Sequence, residues 1–225
     1  MKNRWNYIAL GLLILLALAL RLYRLDAQDI WGDEAFSIFL SQQPLNIVVA
    51  GASDTHPPLY PFLLFAWLHH VGASAFTTRA LSALIGTMAI PLIFVFARRL
   101  IAPTRVVWFA ALFTAISPLL IYYSQETRMY ELVTVLALAS SYWGLRFVTH
   151  LQGSNVPPLL HRAPAPLHYF VTTALALYTH YSAFFVLAAQ NVFALARLRH
   201  DRAALLRWIA IQGALVLAYV PWIIA

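Results

Sequence analysis

Apolar runs of near membrane-spanning length recur along this chain, separated by short charged or polar stretches. The first extends from Trp5 to Leu25. At about 1.5 Å of rise per residue it makes roughly 30 Å of helix, enough to cross a bilayer. Further runs reach from Leu59 to about Val71, Phe76 to Phe96, Val106 to Tyr123, Leu132 to Val148, Leu167 to Leu195, and Leu205 onward. The expected fold is all-α, a polytopic transmembrane helical module. Composition closes the main alternative: 62% of the 225 residues are hydrophobic and 10% are charged, against about 25% charged in soluble domains. Too few polar groups remain to cover a water-facing surface, which excludes a soluble enzyme or signalling domain.

The charges are distributed unevenly. Residues 26–56 form a first loop with five of the eight acidic residues (Asp26, Asp29, Asp33, Glu34 and Asp54) and no Lys or Arg. Glu34 to Leu40 and Leu45 to Val49 are expected to be short juxtamembrane helices broken at Pro44. Lys2, Arg4, Arg98, Arg99, Arg105, Arg146, Arg162, Arg197, Arg199, Arg202 and Arg207 hold 11 of the 15 basic residues. If they face the cytoplasm, the 26–56 loop, the Gln125–Arg128 segment and the Tyr178–Tyr181 break all face the exterior. Leu167 to Leu195 must then be two short helices meeting at that break. Between an outside His56 and an inside Arg98, either one run is re-entrant or the 76–97 run is broken near Gly86. Arg21 and Arg24 are expected to snorkel to the interface. The apolar N-terminal run reads as a retained helix rather than a cleaved signal. The absence of cysteine excludes disulfides, thiolate metal sites and cysteine nucleophiles, and the net charge of +7 reads as topology rather than nucleic-acid binding.

Four constellations carry candidate chemistry. Trp31-Gly32-Asp33-Glu34 pairs two carboxylates outside the bilayer, suited to a general base with a supporting or metal-binding partner. The alternative reading is two acids opposing a helix dipole. His56-Pro57-Pro58-Leu59-Tyr60 places an imidazole at a proline-fixed boundary, where it can ligate a metal or neutralise phosphate with Tyr60 in support, or is a solvated loop residue before a proline-started helix. Gln125, Glu126 and Arg128 offer a phosphate clamp, or a pair that satisfies itself in an aromatic belt. His180, with Tyr181, interrupts an apolar stretch, and an ionisable group there is a functional candidate by default. Arg79 is a further candidate, or an arginine that snorkels. Acids and cations at one membrane face suit transfer from a lipid-linked phosphate donor. No glycine-rich phosphate loop points to a soluble nucleotide donor.

Trp-Gly-Asp-Glu, His-Pro-Pro-Leu-Tyr, Ser-Pro-Leu-Leu-Ile-Tyr-Tyr-Ser-Gln-Glu-Thr-Arg-Met-Tyr and Tyr-Thr-His-Tyr occur here in that order. Together they resemble the membrane glycosyltransferases of the GT-C superfamily, more narrowly the family 39 or protein-mannosyltransferase-like group that includes aminoarabinose transferases. The resemblance implies an inverting glycosyltransferase in the cell membrane, with its site facing the periplasm or exterior. It implies a polyprenyl-phosphate sugar donor and a glycan, lipid or protein acceptor. Asp33 falls on the catalytic acid, with Glu34 beside it. Glu126 and Arg128 match the motif after the following helices. On the residues themselves, Arg128, His180 and His56 are expected to serve the donor phosphate, with Glu126, Gln125, Tyr60, Tyr181 and Arg79 in support. His180 stands where some relatives carry lysine. A divalent metal ion is an open possibility within the superfamily. Residues 1–225 correspond to the N-terminal part of such a domain, expected to be incomplete at the C-terminus. The rival readings are a transporter or flippase of lipid-linked sugars and a non-catalytic membrane scaffold.

Overall fold

The computed structural model describes residues 2–50, 56–100, 103–153 and 165–224. Asp54 and Arg162, used above to reason about topology, lie outside them. The described residues form helices and no strand. In chain order these are α1 (Lys2–Leu22), α2 (Gly32–Ser41), α3 (Leu45–Ala50), α4 (Leu59–Val71), α5 (Ala75–Thr87) and α6 (Ala89–Leu100). They are followed by α7 (Thr104–Ile116), α8 (Pro118–Ser124), α9 (Tyr130–Leu151), α10 (Ala165–Leu177), α11 (Ala183–Leu198) and α12 (Arg202–Ile223). Among the described residues, four helical stretches are long and apolar enough to cross a membrane: Arg4–Leu22, Ala75–Leu100, Tyr130–Leu151 and Arg202–Ile223. The α7–α8 pair, bent by 48°, makes a fifth if counted as one span.

Local chemistry sets the boundaries. α5 and α6 meet at Met88, two residues after Gly86, yet Ala75–Leu100 forms a single 26-residue candidate span, so a break near Gly86 adds no crossing. Gly72, at φ +78°, ends α4 in a conformation that costs glycine little. Two residues later Ser74 and Thr77 cap α5 reciprocally, so the chain reverses within three residues. The 167–195 stretch is indeed two helices, α10 and α11, separated at residues 178–182. Asp201 starts α12 by accepting a hydrogen bond from the Ala204 amide at 3.0 Å.

The chain divides into two compact units, residues 1–54 with 58–135, and residues 55–57 with 136–225. In the first, α1, α6 and α7 share a core of Ala17, Ile90, Phe94, Val107, Ala111 and Ala115. Alanines here let helix backbones approach closely, which packing in lipid favours. In the second, Phe147, Tyr169 and Trp208 stack at 5.0 to 6.2 Å, and Gly144 lies against the Tyr169 ring.

Arg21 corrects the sequence expectation. It does not snorkel but is fully buried. Pro118 has no N–H to give the Thr114 carbonyl, so the α7–α8 break leaves acceptors unfilled. Arg21 fills them: Nη2 donates to Thr114 O at 3.3 Å, Nη1 to Ala115 O at 3.1 Å and Nε to Ser124 Oγ at 3.0 Å. One guanidinium fork therefore holds both halves of the bent span. Glu131, 1% exposed, lies close to Ser124 without a geometric hydrogen bond to either oxygen. Gly86 faces both; a Cβ there would meet Ser124 Oγ and come within 2.7 Å of Glu131 Oε2.

Candidate functional site

In the first unit the Trp-Gly-Asp-Glu segment opens α2, with Asp33 and Glu34 in its first turn. The two neighbouring carboxylates meet opposite environments because adjacent residues on a helix face different ways. Glu34 is wholly buried. Arg79 of α5 grips it in a fork, Nε to Oε1 at 2.8 Å and Nη2 to Oε2 at 2.6 Å. The Thr127 amide adds a third hydrogen bond to Oε1 at 2.8 Å. Burial alone would push the Glu34 carboxyl up, but the Arg79 hydrogen bond, the Thr127 amide and the Arg79 charge outweigh it and hold it below the usual range.

Arg79 also donates to the carbonyls of Leu25 (3.0 Å), Gln28 (2.8 Å) and Asp29 (3.0 Å). It is thus a buried organiser of the 25–29 turn, not a snorkelling side chain. Gln125 does similar work at the end of α1, donating from Nε2 to Arg21 O at 3.1 Å and Tyr23 O at 3.0 Å. These contacts pin the turn in which Arg24 adopts φ +52°, a left-handed conformation costing a non-glycine residue roughly 1–2 kcal/mol.

Asp33 stands apart, its side chain 54% exposed. Arg128 approaches it, with Nη2 at 3.8 Å from Oδ2 and Nη1 donating to the Asp33 carbonyl at 3.2 Å and to Ser37 Oγ at 3.1 Å. The guanidinium is 6% exposed and its Nε has no hydrogen-bond partner. Behind it, Ser82 Oγ donates to Arg128 O at 3.3 Å and meets the buried Tyr60 hydroxyl at 3.0 Å. The supposed Glu126–Arg128 pair does not form. Burial, with the neighbouring Glu34 charge, leaves the Glu126 carboxyl above the usual range against the opposing pull of Tyr122 and Arg128.

The remaining candidates belong to the second unit. His56 and His180 stack with ring centroids 5.2 Å apart, and Tyr181 lies 6.2 Å from His56. The Ser182 amide donates to His180 Nδ1 at 3.0 Å. A backbone N–H can only donate, so Nδ1 accepts and the neutral ring carries its proton on Nε2.

Sequence reasoning missed Ser37, the Thr127 amide and the Arg21–Ser124–Glu131–Gly86 cluster. Ser37 lies four residues after Asp33 on the same helix, a spacing that could have found it. The others depend on contacts across some 40 to 110 residues, and nothing local signals them. Among the described residues no three His, Asp or Glu side chains converge. Among the described residues the donor set thus does not by itself form a divalent-ion site, and Arg128 lies beside Asp33. Compared with family models, curated proteins and solved structures, the chain matches none.

Proposed function

We propose that this protein is an integral membrane glycosyltransferase that moves a sugar from a polyprenyl-phosphate donor to an acceptor hydroxyl at the external membrane face. The observation that carries the reading is the division between two adjacent carboxylates. Glu34 is saturated and holds α2 in place, while Asp33 is exposed beside a buried, incompletely bonded guanidinium. That is the pairing of a general base with an anion-stabilising cation. Asp33 takes the proton from the acceptor hydroxyl as its oxygen bonds to the anomeric carbon. The bond from that carbon to the donor phosphate oxygen breaks, the configuration inverts, and the electron pair leaves on the polyprenyl phosphate. Arg128 opposes the charge that develops there. The stacked His56 and His180, flanked by Tyr181, are a second phosphate-binding candidate within their own unit. The sequence resemblance adds the donor class and the external orientation.

The test is transfer of radiolabel from a polyprenyl-phosphate sugar to a glycan, lipid or protein acceptor by protein in proteoliposomes. Asp33→Asn abolishes transfer if the reading is right; unchanged transfer removes Asp33 from the chemistry. Cysteines introduced singly at 33, 126 and 180 are labelled from the exterior only, and cytoplasmic labelling at 126 breaks the reading.

The bent α7–α8 pair supports a second reading, a flippase, because interrupted helices also serve alternating access. Under it the donor lipid changes leaflet without label reaching any acceptor, and position 33 becomes accessible from both sides.

A further inference from the structure

Two cavities of the first unit lie between α1 and the α7–α8 element. The one of 620 Å³ is an apolar groove lined by Ala9, Leu12, Leu13 and Leu16 of α1 and by Arg105, Trp108, Phe109 and Leu112 of α7. The other, 450 Å³, lies where α1 ends and includes Leu20, Tyr23, Arg24, Gln28, Ile121 and Gln125. Residues 9, 13, 16 and 20 are spaced by four, three and four, which places both cavities on one face of α1. From Ala9 to Leu20 this face is about 16 Å long. It is apolar along its length and polar where it reaches Arg24.

Charge distinguishes the two cations in the polar cavity. Arg79 is neutralised by Glu34. Arg24 makes no ion pair among the described residues, and its guanidinium is exposed. The pinned 25–29 turn keeps it in its left-handed conformation. Arg24, a cation without an ion pair at the end of an apolar groove and in the same turn as the exposed Asp26 and Asp29, matches one negative charge at the end of an apolar chain.

We propose that this face of α1 binds a diacyl phospholipid with a singly charged phosphodiester head, such as phosphatidylglycerol. The phosphate sits against Arg24 with Tyr23 and Gln28 around it, and an acyl chain runs along Leu20, Leu16 and Leu13 opposite Ile121 and Leu112. A phosphomonoester dianion fits less well, because the second arginine is already paired. The inference requires only that α1 lies in a bilayer and does not depend on the transferase reading.

The experiment uses the full chain in phosphatidylcholine nanodiscs doped with phosphatidylglycerol carrying a diazirine on one acyl chain. Crosslinks are expected in peptides containing residues 9–20 and 105–121. Unlabelled phosphatidylglycerol should compete at least ~10-fold better than phosphatidylcholine, as charge-assisted recognition of the head requires. Arg24→Gln should remove that preference while the crosslinks stay in place. Leu16→Trp should displace them from the groove, and Arg105→Gln should change neither. Equal competition by the two phospholipids identifies the bound molecules as bulk annular lipid and overturns the proposal. So does a preference that survives Arg24→Gln or is lost in Arg105→Gln. A polyprenyl phosphate that outcompetes phosphatidylglycerol overturns the assignment to a phospholipid.

Discussion

The two units bury polar groups in different ways. The first uses charge: Glu34 is locked to Arg79, Arg128 faces Asp33, and Arg21 fills the carbonyls of a broken span. The second relies mainly on neutral groups, its buried Arg146 lying over the Trp143 and Tyr142 rings. Gln190 accepts from the Tyr169 hydroxyl at 3.2 Å and donates to Ser140 at 3.0 Å and Ser141 at 3.1 Å. Ser140 meets Thr173 at 2.7 Å, and Asn191 accepts from the Trp208 indole at 2.9 Å. Neutral hydrogen bonds between helices act as glue, and losing one is tolerable. A buried ion pair is weak evidence for stability, but breaking it leaves an uncompensated charge. Buried ion pairs are therefore retained at higher risk, and the unit that holds the Glu34–Arg79 pair also presents Asp33.

The sharpest way to break this contrast is to exchange the roles of the two adjacent acids. Arg79→Leu strands Glu34 and is expected to cost about 3–5 kcal/mol, read as a lower thermal midpoint in detergent. Asp33→Asn is expected to lower that midpoint far less than Arg79→Leu, since Asp33 is half exposed, while lowering transfer by roughly 10²-fold or more. If the two substitutions behave alike, the division of labour is wrong. Gly86→Ala probes the charged unit without removing a charge. Its Cβ crowds Ser124 and Glu131, and the expected loss is about 1–3 kcal/mol, again by thermal unfolding. In the second unit, Gln190→Leu is expected to cost only about 0.6 kcal/mol for each lost interhelical hydrogen bond. A cost as large as that of Arg79→Leu would erase the distinction between the units.

The smallest expected effect is on pH dependence. The Glu34 carboxyl lies below its usual range in the folded protein, so its contribution is present above the unfolded value and disappears as pH falls through the folded one. Glu126 lies above its usual range. Its ionisation opposes folding, and that penalty is relieved as pH falls. Unfolding followed across the acid range should therefore lose part of its acid sensitivity in Glu34→Gln. In Glu126→Gln stability should rise slightly near neutral pH, and the acid limb should steepen.

Much of the fold is legible in the sequence because hydrophobic runs and helix-breaking residues act locally. The pair of short helices around Pro44, the helix ending at Val71 and the interruption around His180 all follow from composition within a few residues. The site is legible only as a set of chemical types. Asp33 and Glu34 are adjacent and chemically alike, so nothing local says which one Arg79, 45 residues away, will bury. Likewise Arg21 reads as a snorkelling arginine, because the carbonyls that capture it belong to a break more than 90 residues later.

The sequence by itself determined that this chain is helical and carries apolar helices of membrane-crossing length, since the period and length of its apolar runs admit little else. It also placed its few acids and cations in a handful of motifs. Only the tertiary structure decided that, of the adjacent pair, Glu34 is consumed in holding helices together while Asp33 remains exposed. Burial and pairing are properties of the neighbours that folding supplies, and a guanidinium satisfies whichever acceptors packing brings within 3 Å or so of it.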